Sequence, residues 1–269
     1  MLFCNLQPIM DKLTQGSSKI SCYWAFGVEF EFYSTDKLEY NFADICKIAN
    51  KHDIEIAGTE EEDGEGQYEF QTQPTTNYQK LCNFIAEVQA SASTLKINTH
   101  PKPFPDQPAS GMHLHISLYN QDDDMNLFFD PKKPNKLSNI ALHAIGGCTK
   151  KYLNNFACFV NSDANFARFA RSHDSTYKNS PSTVSWGINN RTCMIRIPRM
   201  LNYANIRIEH RLPAPNNNLS KCLETIVNNI VAGITQNIAP PLPTFGDSFS
   251  YERDVAPIFL PFSSAQLSN

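Results

Sequence analysis

No block of lysine or arginine interrupts this sequence, no apolar run approaches bilayer length, and no two cysteines stand at Cys-x-x-Cys spacing. Each absence excludes something. A net charge of −4 without basic clusters gives no electrostatic reason to expect a nucleic-acid or membrane partner. A membrane-spanning helix needs about 20 consecutive apolar residues, and none is present. The opening "MLFCNLQPIMDKL" lacks the basic start and long apolar core of a secretory signal, so a cytoplasmic protein is expected. Eight cysteines are present, but Cys46, Cys82, Cys148 and Cys222 lie in apolar, helix-like stretches. They read as reduced thiols packed as small hydrophobes rather than as disulfides or zinc ligands. A Gly-x-x-x-x-Gly-Lys-Ser/Thr loop is missing, which rules out P-loop phosphate binding. Internal repeats and low-complexity tracts are also missing.

What is there belongs to a folded protein. Hydrophobic residues at 41% and charged residues at 19% lie far from disordered compositions, and 269 residues suffice for one large domain. A short helix is expected at 5–15 and a long strand at 22–34. A helix at 41–52, a strand near 54–57 and an acidic loop, "GTEEEDGEG", follow. Next come a strand at 67–73, a helix at 77–92, a strand at 94–98 and a Pro-rich turn. A strand opens at Gly111, a helix covers 136–153, and residues 160–182 look irregular. Strands at 183–187, 191–197 and 205–212 precede an Asn-capped helix that runs to Gly233. The pattern predicts an α+β fold: a curved, mainly antiparallel sheet with helices on its outer face.

The stretch "GMHLHISLY" alternates without a break, with Met112, Leu114, Ile116 and Leu118 on one face and His113, His115 and Ser117 on the other. Other strands behave likewise. Glu29 and Glu31 share a face in "GVEFEFY", as do Gln67, Glu69 and Gln71 in "GQYEFQT". Arg207, Glu209 and Arg211 share one in "NIRIEHRLP", where His210 falls on the apolar side. "NRTCMIRIP" adds Arg191 and Arg196. A single polar strand face usually meets water, but these faces carry Glu, His and Arg and almost no Lys. If they converge, the concave face is a charged funnel that must neutralise itself. Clustered carboxylates with His suit Mg²⁺ or Mn²⁺, and clustered arginines suit phosphate or carboxylate oxygens. Together they describe phosphoryl transfer from a nucleotide.

In order, "GVEFEFY", "EDGEGQYEFQ", "SGMHLHISL", "NNRTCMIRIP" and "RIEHRLP" resemble the successive signatures of the glutamine synthetase catalytic domain, over roughly residues 20–250. "SWGINNRT" and "EGQYEF" look closer to the γ-glutamylpolyamine branch. The resemblance implies two or more divalent-metal sites, Mg²⁺ or Mn²⁺, with ATP as a substrate. Glu31, Glu62 and Glu69 would hold the first metal, and Glu29, His113 and Glu209 the second. His115, Ser117 and Arg196 would contact the nucleotide phosphates. Arg168, Arg191 and Arg211 would act on the substrate carboxylate and the transferring group. The implied reaction phosphorylates the γ-carboxylate of glutamate and passes the acyl group to ammonia or an amine. His52, His100, His143 and His173 read as surface or packing residues.

Four departures from the family pattern qualify that expectation. Only about twenty residues, read as a short helix and linker at 1–20, precede the catalytic domain at 21–250, where the family carries a β-grasp domain. Asn179 stands where the family has a flap glutamate. "PASG" (Pro108–Gly111) replaces "NGSG", and a tail at 251–269 replaces the closing helices. Homo-oligomerisation is weakened accordingly. The alternative to a ligase is a non-catalytic, truncated relative that binds Mg-ATP or needs a partner subunit. A kinase acting on a small carboxylate or guanidino compound is the third reading.

Overall fold

Cys22–Ser34 form strand β1, and its alternation is complete: Trp24, Phe26, Val28, Phe30 and Phe32 are buried on one face. The computed structural model describes residues 21–36, 40, 42–169, 179–199, 202 and 205–249. The expected helix at 5–15, the tail after 250 and His173 lie outside the described residues. After β1 the elements are α1 (Phe42–Lys51), β2 (Ile56–Glu61), β3 (Gln67–Thr72), α2 (Tyr78–Ala90), β4 (Ile97–Asn98) and β5 (Met112–Asn120). Then come α3 (Asn139–Phe159), α4 (Asp163–Ala167), β6 (Thr183–Ile188), β7 (Cys193–Ile197), β8 (Ile208–His210) and α5 (Leu219–Thr235).

The eight strands form one open sheet in the order β2-β3-β1-β5-β8-β7-β6, with β4 also paired to β1. The class is α+β, as expected. Neighbours pair antiparallel except β6 and β7, which run parallel; Asn189, just after β6, has φ 50°. Among the described residues no helix is long and apolar enough to cross a membrane.

The helices cover one face of this sheet. Leu81, Phe84, Ile85 and Val88 of α2 and Cys222, Leu223, Ile226, Val227 and Ile230 of α5 join the β1 and β5 side chains in one core. Burying an aliphatic or aromatic side chain of this size contributes about 1.5–3 kcal/mol. Helix starts follow their caps. Ser138 Oγ accepts from Ala141 N at 3.1 Å, and Asn218 Oδ1 accepts from Lys221 N at 3.0 Å. His210 lies on the core side of β8, its ring 4.9 Å from that of Phe159.

Several boundaries differ from the sequence expectation. The acidic segment 58–61, read as loop, is strand: Glu60 pairs with Glu69 and Glu61 with Tyr68. β3 offers an unpaired edge that any extended chain can satisfy, so pairing overrides the poor β-propensity of Glu. Helix α3 runs six residues beyond Leu153, and the region read as irregular contains α4. The strands expected at 94–98 and 205–212 shrink to two and three residues. Lys96 adopts φ 58°, which ends regular pairing on the N-terminal side of β4.

Helices α3 and α5 cross with their backbones in contact. A Cβ placed on Gly147 would overlap the Asn229 carbonyl oxygen, and one on Gly233 would overlap that of His143. Gly147→Ala is therefore expected to destabilise by about 1–3 kcal/mol, although the helix-propensity gain alone would be about 1 kcal/mol. At Gly58 a Cβ meets nothing, and Gly58→Ala should change stability by less than about 0.5 kcal/mol. Chemical denaturation midpoints of the two variants check this; equal midpoints would disprove the tight crossing.

Candidate active site

Antiparallel register decides what each polar side chain meets. Glu31 stands opposite Glu69 of β3, and Glu29 stands opposite His113 of β5. His115 stands opposite Glu209 of β8, which in turn stands opposite Arg196 of β7. A polar strip thus crosses the sheet from β3 to β7 on the face that the helices leave free. Glu69, His113, His115, Glu209 and Arg211 are all buried in it.

Contacts within the strip are close. Glu29 Oε2 lies 3.3 Å from His113 Nδ1, and Glu29 Oε1 lies 2.8 Å from His115 Nε2, although off the line of a good hydrogen bond. His113 Nε2 is 3.6 Å from Glu31 Oε1, and its Nδ1 is 3.8 Å from Glu209 Oε1. Glu209 is clamped between two arginines: Arg196 donates at 2.7 Å, and Arg211 donates to the other oxygen. Arg207 Nε donates to His115 Nδ1 at 2.8 Å.

Two cavities open along the strip. The smaller is lined by Glu31, Glu62, Asp63, Gln67, Gly111, His113, Arg168, Asn179 and Arg211. Arg168, at the C-cap of α4, donates to the Leu212 and Pro213 carbonyls at 2.7 and 3.1 Å, which fixes its guanidinium against the cavity wall. Gly111 donates to Glu31 Oε2 at 2.7 Å, and a Cβ there would stand within 3.0 Å of both the His113 ring and Arg168. Arg211 donates to the Asn179 carbonyl at 2.8 Å, and the Asn179 amide donates to Asp63 at 3.2 Å. Pro108 uses its carbonyl to accept from the Tyr33 hydroxyl at 2.9 Å. The larger cavity, about 300 Å³, is lined by Glu29, Gln71, Thr72, His115, Ser117, Tyr119 and Arg207 among others.

Charge is unevenly held. Burial and repulsion from Glu62 raise the Glu31 carboxyl to about 8. Burial, then Glu29 and Glu31, raise Glu69 to about 10. Burial also raises Glu29, but His115 and His113 outweigh it and hold that carboxyl far below its ordinary value. Glu209 falls to about 2, because Arg211 and His115 outweigh its burial. Burial and the Arg211 charge lower His113 to about 4, so it is a neutral imidazole with a lone pair to offer.

The chemistry of this donor set suits a cation. Buried, mutually repelling carboxylates beside a neutral imidazole fit a hard divalent ion. The tightest donor groups cut across the expected division: Glu29, Glu69 and His113 form one, and Glu29, His115 and Glu209 the other, each with ligand atoms within 4.8 Å. Glu31 and Glu62 face the smaller cavity instead. Ser117 lines the larger cavity, with its hydroxyl donating to the Ile206 carbonyl at 3.3 Å. Arg196 reaches the strip, whereas Arg191 is exposed on the turn before β7 and acts on it through its pull on Glu62. His52, His100 and His143 stay away from the strip, bonded to Glu87, to the Lys102 amide and to the Ile238 carbonyl.

Sequence reasoning gave no role to Arg207, Gln71 or Asp63. Arg207 was detectable, since it precedes Glu209 and Arg211 by the two-residue step of one strand face. Asp63 lies in a turn without periodicity and carried no signal.

A model of the glutamine synthetase catalytic domain matches residues 17–259. The chain belongs to the glutamine synthetase family. Curated glutamine synthetases are similar along most of its length. That of Thermotoga maritima is 28% identical over 223 residues, 81% of this chain and 49% of the relative. That of Thermococcus kodakarensis is 31% identical over 181 residues, 67% of this chain and 37% of the relative. That of Clostridium saccharobutylicum is 28% identical over 227 residues, 82% and 49% respectively. The chain spans about half the length of the curated relatives it matches, or less. Within the family match, Asn179, Asp63 and the Pro108–Gly111 segment all border the smaller cavity.

The raised carboxyls give a signed prediction. Glu31 and Glu69 bind protons more tightly folded than unfolded, so without a divalent ion stability declines as pH rises from about 4.5 toward 8–10. A bound cation would replace those protons, so cation affinity rises with pH. Melting temperatures in chelator should fall between pH 6 and 9, and saturating Mg²⁺ or Mn²⁺ should flatten that fall. Identical profiles with and without the ions would contradict the assignment.

Proposed function

We propose that this chain is an ATP-dependent carbon–nitrogen ligase of the glutamine synthetase type, which activates the γ-carboxylate of glutamate and passes it to ammonia or an amine. The carrying observation is the strip itself: acidic, imidazole and guanidinium groups in one register, between a small polar cavity and a larger one of about 300 Å³. The larger cavity lies at the lower end of the range of small-molecule pockets.

Glu29, Glu31, Glu62, Glu69, His113 and Glu209 would hold Mg²⁺ or Mn²⁺, ions that neutralise phosphate oxygens when bound. His115, held by Arg207, and Ser117 would line the ATP phosphates. Arg196, anchored on Glu209, would reach the phosphoryl group from the other side. Arg168 and Arg211 would orient the glutamate carboxylates in the smaller cavity. Arg211, Arg191 and Arg196 would then stabilise the charge that develops on the transferring group. The amine would approach past Asp63 and Asn179. Asn179 is neutral, so Asp63, 3.2 Å from its amide, is the carboxylate placed to hold a cationic amine and take its proton. An exposed Asp at an open mouth suits an amine larger than ammonia, in keeping with the likeness to the γ-glutamylpolyamine branch.

Asn179 also favours a second reading, in which the chain binds Mg-ATP without completing amide formation, or completes it only with a partner subunit. One assay separates the readings. ADP release is followed with Mg-ATP and glutamate across ammonia, small amines and polyamines, beside Glu69→Gln. A ligase gives amine-dependent turnover that falls roughly 100-fold or more in the variant. Turnover without any amine indicates a kinase. Mg-ATP binding without turnover leaves the non-catalytic reading.

A further inference from the structure

Helices α3 and α5 bring two thiols together at the end of the molecule where α3 stops and α5 starts. Cys158 lies in the last turn of α3 and is half-buried, whereas Cys222 lies in the first turn of α5 and is fully buried. Cys222 Sγ is 3.9 Å from the Cys158 carbonyl oxygen, which sets its sulfur against that residue. Thr225, three residues further along α5, donates its hydroxyl to Cys158 Sγ at 3.4 Å. The Cys158 sulfur is thus an acceptor at the meeting of two helices, with a second thiol behind it and an open side toward solvent.

We propose that Cys158 is a site of oxidative modification by peroxide, with Cys222 as the thiol that resolves it into a disulfide. The electrostatics agree with the geometry. The Cys222 thiol beside it pulls the Cys158 thiol down to about 7 against the cost of burial, with Thr225 and Lys221 assisting. The same pairing and burial push Cys222 well above its ordinary value. Among the described residues the other half-buried thiols, Cys22 and Cys46, are pushed up by burial, and Cys148 reaches about 12. The thiolate is the reactive form, so Cys158 is set apart.

The chemistry balances with peroxide as oxidant. The Cys158 thiolate attacks one peroxide oxygen; the O–O bond breaks, the sulfur gains a hydroxyl, and the other oxygen leaves as hydroxide and takes a proton to become water. Cys222 sulfur then attacks the sulfenic sulfur. The S–S bond forms, the S–O bond breaks, and the hydroxyl departs as water with the Cys222 proton. Two thiols lose two electrons and two protons, and one peroxide becomes two waters.

Two measurements on the intact chain test this. Iodoacetamide labelling at pH 7 should modify Cys158 at least several-fold faster than Cys22 or Cys46. Thr225→Val should slow it, and Thr225→Ser should restore it. Hydrogen peroxide followed by non-reducing peptide mapping should give a Cys158–Cys222 linked peptide in the unmutated chain. In Cys222→Ser a dimedone adduct should appear at Cys158 instead. Labelling of Cys158 no faster than of Cys46, or no linked peptide after peroxide, would overturn the proposal, and neither readout depends on that variant folding.

Discussion

The register of β1 against β3 and β5 is the constraint on which the rest depends. Side chains alternate with period two, so a slip of one residue would move Glu29 and Glu31 into the core and Phe30 and Phe32 into the strip. The aromatic content of β1 prevents it. Phe30 stacks on Phe70 at 5.2 Å, and Phe32 meets Tyr40 edge-on at 5.1 Å, so the apolar face fits in one alignment only. The hydrophobic side of the sheet thus fixes the positions of the charges on the other side.

That arrangement has an energetic cost which the molecule distributes. Four glutamates, two histidines and three arginines share a surface with little access to water, and each uncompensated charge there would cost several kcal/mol. Glu209 is compensated within the protein by Arg196 and Arg211, whereas Glu31 and Glu69 are compensated by protons. The strip is therefore divided into an end near β7 neutralised by arginine and an end near β3 richer in carboxylates. Backbone contacts hold two of the arginines in place: Arg168, beside the Glu31 cavity, is tied to two carbonyls, and Arg211 to one.

Much of this was legible in the sequence because it rests on periodicity. Alternation in 112–118 and 28–32 gives strand faces directly, and the coming together of Glu29, His113 and Glu209 follows once those faces share a sheet. The resemblance motifs added their order along the chain. What sequence could not supply was pairing between elements. Residues 58–61 become strand only because β3 needs a neighbour, and His115 meets Glu29 as well as Glu209 because its strand lies between β1 and β8. The parallel pairing of β6 with β7 across the short 189–192 connection has no periodic signature either.

The acidic edge at β2 has a consequence of another kind. An open sheet ends in unsatisfied backbone groups that could template another chain, and here that rim is strung with Glu60 and Glu61, both exposed. Their mutual repulsion disfavours a second rim docking alongside, so the feature that makes this strand a poor one by propensity also protects the molecule against growing into a fibre.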